Sequence, residues 1–95
     1  MGIPNLDYAN PLHVSSSTST TYTATKVCYA MGSGDNKNDS GQQITINGTV
    51  IAGSYSGSGN NNVITLPLVK LNIGDTIVFP ALNANRGGFA VFDTL

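Results

Sequence analysis

The sequence predicts an all-β fold, and three features of the chain support this prediction. Short apolar runs alternate with segments rich in Gly, Pro, Asn and Asp, which is the pattern of strands and turns. The run over residues 63–79, VITLPLVKLNIGDTIVF, shows the pattern most clearly. No stretch has the apolar spacing of an amphipathic helix. Turn signals roughly ten residues apart are typical of an antiparallel β-sandwich or barrel.

The run over residues 63–79 divides into two predicted strands. The first covers residues 63–69 and contains Pro67, and the second covers residues 76–79. Between them, residues 72–75 read NIGD, a combination that predicts a turn because Gly accepts a positive φ and Asn and Asp bond to nearby backbone groups.

A β-hairpin is predicted over residues 42–53. The apolar runs 44–46 and 49–51 flank Asn47-Gly48, a pair favoured in two-residue type I′ turns because both central positions need φ > 0. This turn predicts that Ile46 faces Thr49 and that Ile44 faces Ile51.

Residues 20–31 alternate like a strand. Apolar residues occupy both parities: Tyr22, Ala24, Cys28 and Ala30 lie on one, and Val27 and Tyr29 on the other. The sequence therefore leaves open which side faces the core. It predicts a strand that is covered on both sides or lies at an interface.

Polar segments separate these strands, and a short strand ends the chain. Loops are predicted over residues 32–41, 54–62 and 81–88, and the last strand over residues 89–92. Residues 1–14 predict an extended segment that lies along the domain edge or continues an upstream stalk, and the Ser/Thr tract 15–21 predicts a loop passing into a strand. We therefore expect a lead-in over residues 1–19 and a single β-sandwich domain over residues 20–95.

The composition excludes several classes of partner. Charged residues make up 9% of the chain, against about 25% in typical domains, and the net charge is −1. Without clustered Lys and Arg, no nucleic-acid partner is expected. No apolar run is long enough for membrane insertion. The polar Ser, Thr, Asn and Gly residues suit an extracellular β-protein. Such a protein is expected to reach its location without a signal peptide of its own, or the sequence is a fragment.

Catalytic, cofactor and metal sites are not predicted. Cys28 is the single cysteine, and its strand position favours a small buried side chain over a nucleophile paired with His13. The loop DNKNDSG at residues 35–41 superficially resembles a calcium loop. However, Lys37 stands where an oxygen ligand is needed, and the chain contains no Glu. We therefore expect a protein that is not an enzyme.

The predicted loops contain the side chains best suited to ligand binding: Tyr55, Asn61, Asn83, Asn85 and Arg86. Tyr offers a face for stacking, and Asn and Arg offer hydrogen bonds, as in binding loops on a rigid β scaffold. The alternative is that these loops are simply solvated.

The order of motifs resembles a module found at the C-terminal ends of phage tail fibres and related receptor-binding proteins. The matching residues are Tyr22-Thr23-Ala24, the segment ITING at 44–48 and the segment LPLVKLNIGDTI at 66–77. Residues 2–8, GIPNLDY, resemble the lead-in of such modules. Val27-Cys28 departs from the module's Asp-Gly pair before Tyr29, which favours a straighter strand there. The Gly-Asp pair also resembles jelly-roll trimers of the C1q and tumour-necrosis-factor type.

This resemblance implies an antiparallel jelly-roll-like sandwich that forms a homotrimeric knob exposed on a virion or another extracellular surface. It implies a role in trimerisation and in recognition of a cell-surface glycan or receptor. It supplies no catalytic residues. A free-standing bacterial carbohydrate-binding or adhesin domain is the alternative function.

Overall fold

The computed structural model describes residues 4–15, 17–36, 41–54 and 63–95, and for Asn36 and residues 84–86 it describes the backbone alone. Its eight strands are β1 (His13–Ser15), β2 (Thr20–Thr23), β3 (Cys28–Asn36), β4 (Gln43–Ile46), β5 (Thr49–Gly53), β6 (Val63–Leu71), β7 (Thr76–Phe79) and β8 (Leu82–Phe92). The all-β prediction is confirmed. None of the described residues belongs to a helix long and apolar enough to cross a membrane.

The strands form two four-stranded antiparallel sheets that pack as a sandwich. Sheet 1 has the order β1-β8-β3-β6, and sheet 2 has the order β2-β7-β4-β5. The pairs β1–β8, β2–β7, β3–β6 and β4–β5 are all antiparallel. A long hairpin folded over on itself produces this pairing, with the first strand against the last and the fourth against the fifth. This is a jelly roll, in agreement with the predicted fold class.

The core lies between the two sheets. Its largest fully buried side chains are Phe79, Phe89, Ile44, Ile64, Leu71, Ile77, Leu82 and Val91, joined by Cys28. Both sheets contribute, because alternate residues of each strand point inward. The inner faces therefore follow the period-two pattern expected of a sandwich.

The prediction of a single strand over residues 20–31 is wrong, because these residues belong to two strands, β2 and β3, in different sheets. The backbone N–H of Ala24 donates to the carbonyl of Asp75 over 2.9 Å, and the chain then bends through residues 25–27. Beyond the bend, Cys28 pairs with Leu71 in sheet 1. The straighter strand expected before Tyr29 is therefore also wrong, since this segment crosses from one sheet to the other.

The loop predicted from residue 32 is wrong as far as Asn36, because β3 continues to that residue. β3 is paired on both sides, with β6 and with β8, so its backbone groups are satisfied without apolar side chains. Gly32 has φ +149°, and a Cβ there would lie 2.2 Å from the carbonyl oxygen of Gly88. Glycine is required at this point by the close approach of β8.

The predicted hairpin is confirmed as β4 and β5. Asn47 has φ 52° and Gly48 has φ 82°, as a type I′ turn requires. Ile46 faces Thr49 as predicted, but Ile44 faces Ala52 and not Ile51. The difference arises because Thr45 pairs with Val50, so Ile51 is an extra residue in a β-bulge on an edge strand.

The two strands predicted over residues 63–69 and 76–79 are confirmed as β6 and β7. Pro67 lies inside β6, which is an edge strand, where the register against β3 shifts by one residue. A proline is tolerated there because the bulge removes the need for its missing N–H. The turn between the strands is also confirmed, with Gly74 at φ 90° and the Asp75 N–H donating to the Asn72 carbonyl over 3.0 Å.

The loop predicted over residues 81–88 is wrong in extent, because β8 begins at Leu82. Gly34 pairs with Gly87, and Asn36 pairs with Leu82, so residues 83–86 form a large bulge opposite Asp35. The buried Leu82 anchors the start of the strand in the core. The predicted terminal strand at 89–92 is the C-terminal half of β8.

Part of the predicted lead-in also belongs to sheet 1. Residues His13–Ser15 pair with β8, and Leu6 bridges to Thr94. Leu6 is 4% exposed, so the segment contributes an apolar contact to the domain. The sequence left open whether residues 1–14 lie along the domain edge or continue an upstream stalk. The described part of this segment lies along the domain edge.

Candidate functional site

The predicted ligand-binding residues do not form one described cluster. Tyr55 and Asn61 lie outside the described residues. Asn83, Asn85 and Arg86 lie in the bulge of β8, and of these only the side chain of Asn83 is described. The Asn83 amide donates to Asp35 Oδ2 over 3.1 Å. This hydrogen bond runs across the sheet and holds the bulge of β8 against β3.

The other exposed feature is the outer face of sheet 1, on the side away from the core. In β3, Cys28 and Ala30 are fully buried, so the alternate residues Tyr29 and Met31 point outward. Ala90 pairs with both Met31 and Val14. The outward side chains therefore form an apolar row across β1, β8 and β3.

β6 extends this row through its bulge. Pro67 and Leu68 lie opposite Met31, where the register of β6 shifts. The bulge and the two glycines Gly32 and Gly88 leave a groove of about 440 Å³ in the outer face. We define this groove by its outward apolar residues: Val14, Met31, Pro67, Leu68, Ala90 and Phe92. It contains no charged side chain, so its chemistry suits an apolar partner.

An aromatic row extends from the groove and shares Phe92 with it. Phe92 pairs with Tyr29, which pairs with Lys70 on the other side. Tyr8 packs edge-to-face on Phe92, with ring centroids 5.0 Å apart, and is 61% exposed. Together Tyr8, Phe92 and Tyr29 present aromatic surface and two hydroxyl groups, and Lys70 supplies a positive charge at one end.

The outer face of sheet 2 has a different chemistry. Thr21 pairs with Val78, which pairs with Thr45, and Thr23 pairs with Thr76. The Thr23 and Thr76 hydroxyl groups are 3.1 Å apart and share a hydrogen bond. This face therefore presents hydroxyl and methyl groups, whereas the outer face of sheet 1 presents large apolar and aromatic side chains.

Two carboxylates have lowered pKa values, and both are held by local structure. The Asn47 amide donates to Asp75 Oδ1 over 3.0 Å, and the Asn72 N–H donates to Asp75 Oδ2, which together hold the pKa of Asp75 below its usual value. Lys26 donates to Asp93 over 3.0 Å and, with the N–H of Thr94, lowers the pKa of Asp93. These bonds secure the turn after β6 and the end of β8.

His13 and Cys28 serve packing roles in the described contacts. The His13 ring stacks on Phe79 with centroids 5.9 Å apart, and its Nε2 lies 3.2 Å from Thr20 Oγ1. Cys28 is fully buried in the core, and burial raises the pKa of its thiol. Among the described residues, no three His, Cys, Asp or Glu side chains are placed so that they could share a metal ion.

Sequence reasoning missed the outer face of sheet 1 as a candidate site. The sequence did contain a signal for this face. Tyr29 lies on the opposite side of the strand from Cys28 and Ala30, and for this reason the sequence predicted a strand that is covered on both sides or lies at an interface. The groove itself could not be foreseen, because it depends on the bulge at Pro67 and on the pairing of β1 with β8.

Comparisons of the chain with protein-family models, with curated proteins and with solved structures find no match.

Proposed function

We propose that the chain is a non-enzymatic structural module, a jelly-roll knob that assembles as a homotrimer through the outer face of sheet 1. The single observation that carries this proposal is the apolar groove in that face. Its residues Val14, Met31, Leu68 and Phe92 belong to four different strands. Large apolar patches on soluble proteins mark interaction surfaces.

The energetics of a small β domain favour assembly. A chain of 95 residues buries roughly 60–65% of its unfolded surface, which leaves a modest core. Association covers the groove and so buries apolar surface that is exposed in the monomer. This burial stabilises the assembly by about 25 cal/mol for each Å². A net charge of −1 produces little repulsion between identical copies.

The resemblance to tail-fibre modules supplies the biological setting of the proposal. The knob is exposed on a phage or prophage particle, or on another extracellular surface. Recognition of a host glycan or receptor is assigned to the polar segments around Tyr55, Asn61, Asn83, Asn85 and Arg86. The bulge of residues 83–86 supports this assignment, since it departs from the regular strand pairing.

A second candidate function is a free-standing carbohydrate-binding or adhesin domain. The aromatic row of Tyr8, Phe92 and Tyr29 favours it, because aromatic rings and hydroxyl groups together can pack on and bond to a sugar. This function predicts a monomer. Sugar affinity would fall in Tyr29→Ala if the aromatic row binds, and in Tyr55→Ala if the loops bind.

The mass in solution separates the two candidates. Light scattering on the 95-residue chain should give a mass near three times 9.8 kDa for the trimeric knob. A mass of 9.8 kDa at every concentration, together with binding in a glycan screen, would replace the knob by the carbohydrate-binding domain.

A further inference from the structure

Asn47 and Gly48 form the one Asn-Gly pair in the sequence, and such a pair can undergo an internal reaction. The backbone nitrogen of the residue that follows an Asn can attack the side-chain amide carbon and close a five-membered ring. Gly in the following position favours this attack, because it has no Cβ to hinder the approach. The surroundings of the pair therefore decide whether the reaction takes place in the folded chain.

The turn formed by this pair is open to solvent. Asn47 and Gly48 are both exposed, and a Cβ built on Gly48 would meet no other described atom within 4 Å. Water and hydroxide can therefore reach the peptide bond between the two residues. Solvent access does not limit the reaction, so any protection of Asn47 comes from its own hydrogen bonds.

Both polar atoms of the Asn47 amide are held by the β6–β7 turn and the start of β7. Its Nδ2 donates to Asp75 Oδ1 over 3.0 Å, and its Oδ1 accepts from the backbone N–H of Thr76 over 2.9 Å. The backbone N–H of Asn47 donates to the Thr76 carbonyl over 2.8 Å. Ring closure requires the amide to rotate onto the Gly48 nitrogen and then to lose Nδ2, so the bonds to both amide atoms oppose it.

Asp75 is itself fixed in position. The backbone N–H of Asn72 donates to Asp75 Oδ2 over 2.8 Å, and the backbone N–H of Ala24 donates to the Asp75 carbonyl over 2.9 Å. The carboxylate that holds Asn47 is therefore supported by its own turn and by the end of β2. These bonds join three chain segments at one end of the sandwich.

We propose that Asn47 is a deamidation site that the fold keeps unreactive, with Asp75 as the residue that holds its amide. When this end of the sandwich opens, the Gly48 backbone nitrogen gives its proton to solvent base and attacks Cγ of Asn47. The new C–N bond closes a succinimide, the bond from Cγ to Nδ2 breaks, and the side-chain nitrogen takes up a proton and leaves as ammonia. One water molecule then opens the ring at either carbonyl, which leaves aspartate or isoaspartate at position 47.

Either product weakens the link between the two turns. A carboxylate at position 47 cannot donate to Asp75, and two like charges near 3.0 Å apart repel each other. Isoaspartate also adds a methylene group to the backbone of a two-residue turn that requires two positive φ values. The site is thus a slow covalent switch at the end of sheet 2. It lies outside the groove in sheet 1, so it does not depend on assembly through that groove.

Peptide mapping by mass spectrometry, after incubation at neutral pH, measures the conversion of Asn47. The folded wild type should convert far more slowly than the wild type in guanidinium chloride, where the products should include isoaspartate, which direct hydrolysis of the amide does not give. Asp75→Ala should raise the rate in buffer about tenfold or more, the factor expected for one hydrogen bond to a charged group. Asp93→Ala is the matched control, because Asp93 is bonded to Lys26 and Thr94 and its loss should leave the rate near that of the wild type.

Thermal unfolding checks that both variants are folded during the incubation, and the wild-type comparison needs no variant. Equal wild-type rates in buffer and in guanidinium chloride would overturn the proposal, since the fold would then give no protection. Equal rates in Asp75→Ala and Asp93→Ala would refute the role of Asp75. Asn47→Asp reproduces one product and should unfold at a lower temperature than the wild type, whereas an unchanged temperature would refute the weakened link. None of these results depends on the mass in solution, so they are distinguishable from failure of the trimeric knob.

Discussion

Replacing Gly32 by alanine places a methyl group inside the contact between β3 and β8. The added Cβ would lie 2.2 Å from the carbonyl oxygen of Gly88 and 2.7 Å from the Cα of Phe89. Both are backbone atoms, so no side-chain rotation relieves the clash. The backbone φ of +149° is also one that residues with a side chain rarely adopt.

The cost has two parts. Holding a non-glycine residue in a sparsely populated backbone region costs about 1–3 kcal/mol. Forcing extra volume into packed structure costs about another 1–3 kcal/mol. We therefore expect Gly32→Ala to lower the free energy of unfolding by roughly 4 kcal/mol, a large part of the ~5–15 kcal/mol typical of a domain.

Thermal and urea unfolding followed by circular dichroism measure the loss, with Gly74→Ala as the matched control. Gly74 also has a positive φ, +90°, but no atom lies within 4 Å of its added Cβ. The control should therefore lose only the conformational part, roughly 1–3 kcal/mol. Equal losses in the two variants would refute the claim that β8 approaches β3 too closely for a side chain at Gly32.

Three further predictions follow from buried and paired groups. Phe79→Ala should lower the free energy of unfolding by about 3–5 kcal/mol in urea titrations, because the ring is fully buried and stacks on Phe89 at 5.2 Å; a loss below about 1 kcal/mol would place the ring outside the core. The hydrogen bonds from Asn47 and Asn72 lower the pKa of Asp75 in the folded state. The ionised Asp75 therefore stabilises the fold at pH values above its unfolded pKa, about 3.9. This stability should be lost as the pH falls through the folded pKa of Asp75. Asp75→Asn should reduce this acid sensitivity, and an acid unfolding curve identical to the wild type would contradict the assignment. Cys28, fully buried and with a raised pKa, should react with a thiol reagent only on unfolding, and rapid labelling of the native protein would contradict its burial.

The features that the sequence predicted correctly are those specified by local chemistry. The hairpin turn needs two residues with positive φ, and Asn47-Gly48 supplies them wherever the hairpin packs. The turn at residues 72–75 follows from Gly74 and the Asp75 side chain in the same way. Alternating or continuous apolar runs predicted β6 and β7, because the buried pairs Ile64 and Leu66, and Ile77 and Phe79, follow the strand period of two.

The features that were missed depend on tertiary pairing. The glycine-rich second half of β3 has almost no apolar pattern, and it is a strand only because β6 and β8 satisfy its backbone on both sides. The break between β2 and β3 depends on the two sheets lying face to face, which no local signal encodes. The shift at Ile51 and the bulge at residues 83–86 are register changes, and turn chemistry at one end of a strand does not determine them.

The candidate surface was only partly predictable for the same reason. The sequence identified the polar segments, and in one of them the Asn83 amide bonds to Asp35 across the sheet. The groove unites residues that are far apart in the chain, from Val14 to Phe92. It exists because β1 pairs with β8, β8 with β3, and β3 with β6.

Assembly through the outer face of sheet 1 is tested most directly by adding one charge to each outer face in turn. Met31→Lys places a charge in the groove, and Thr21→Lys places the same charge among the threonines of sheet 2. Light scattering should show that Met31→Lys has the monomer mass of 9.8 kDa and that Thr21→Lys keeps three times that mass. A trimer in Met31→Lys, or dissociation in both variants alike, would contradict the proposed surface.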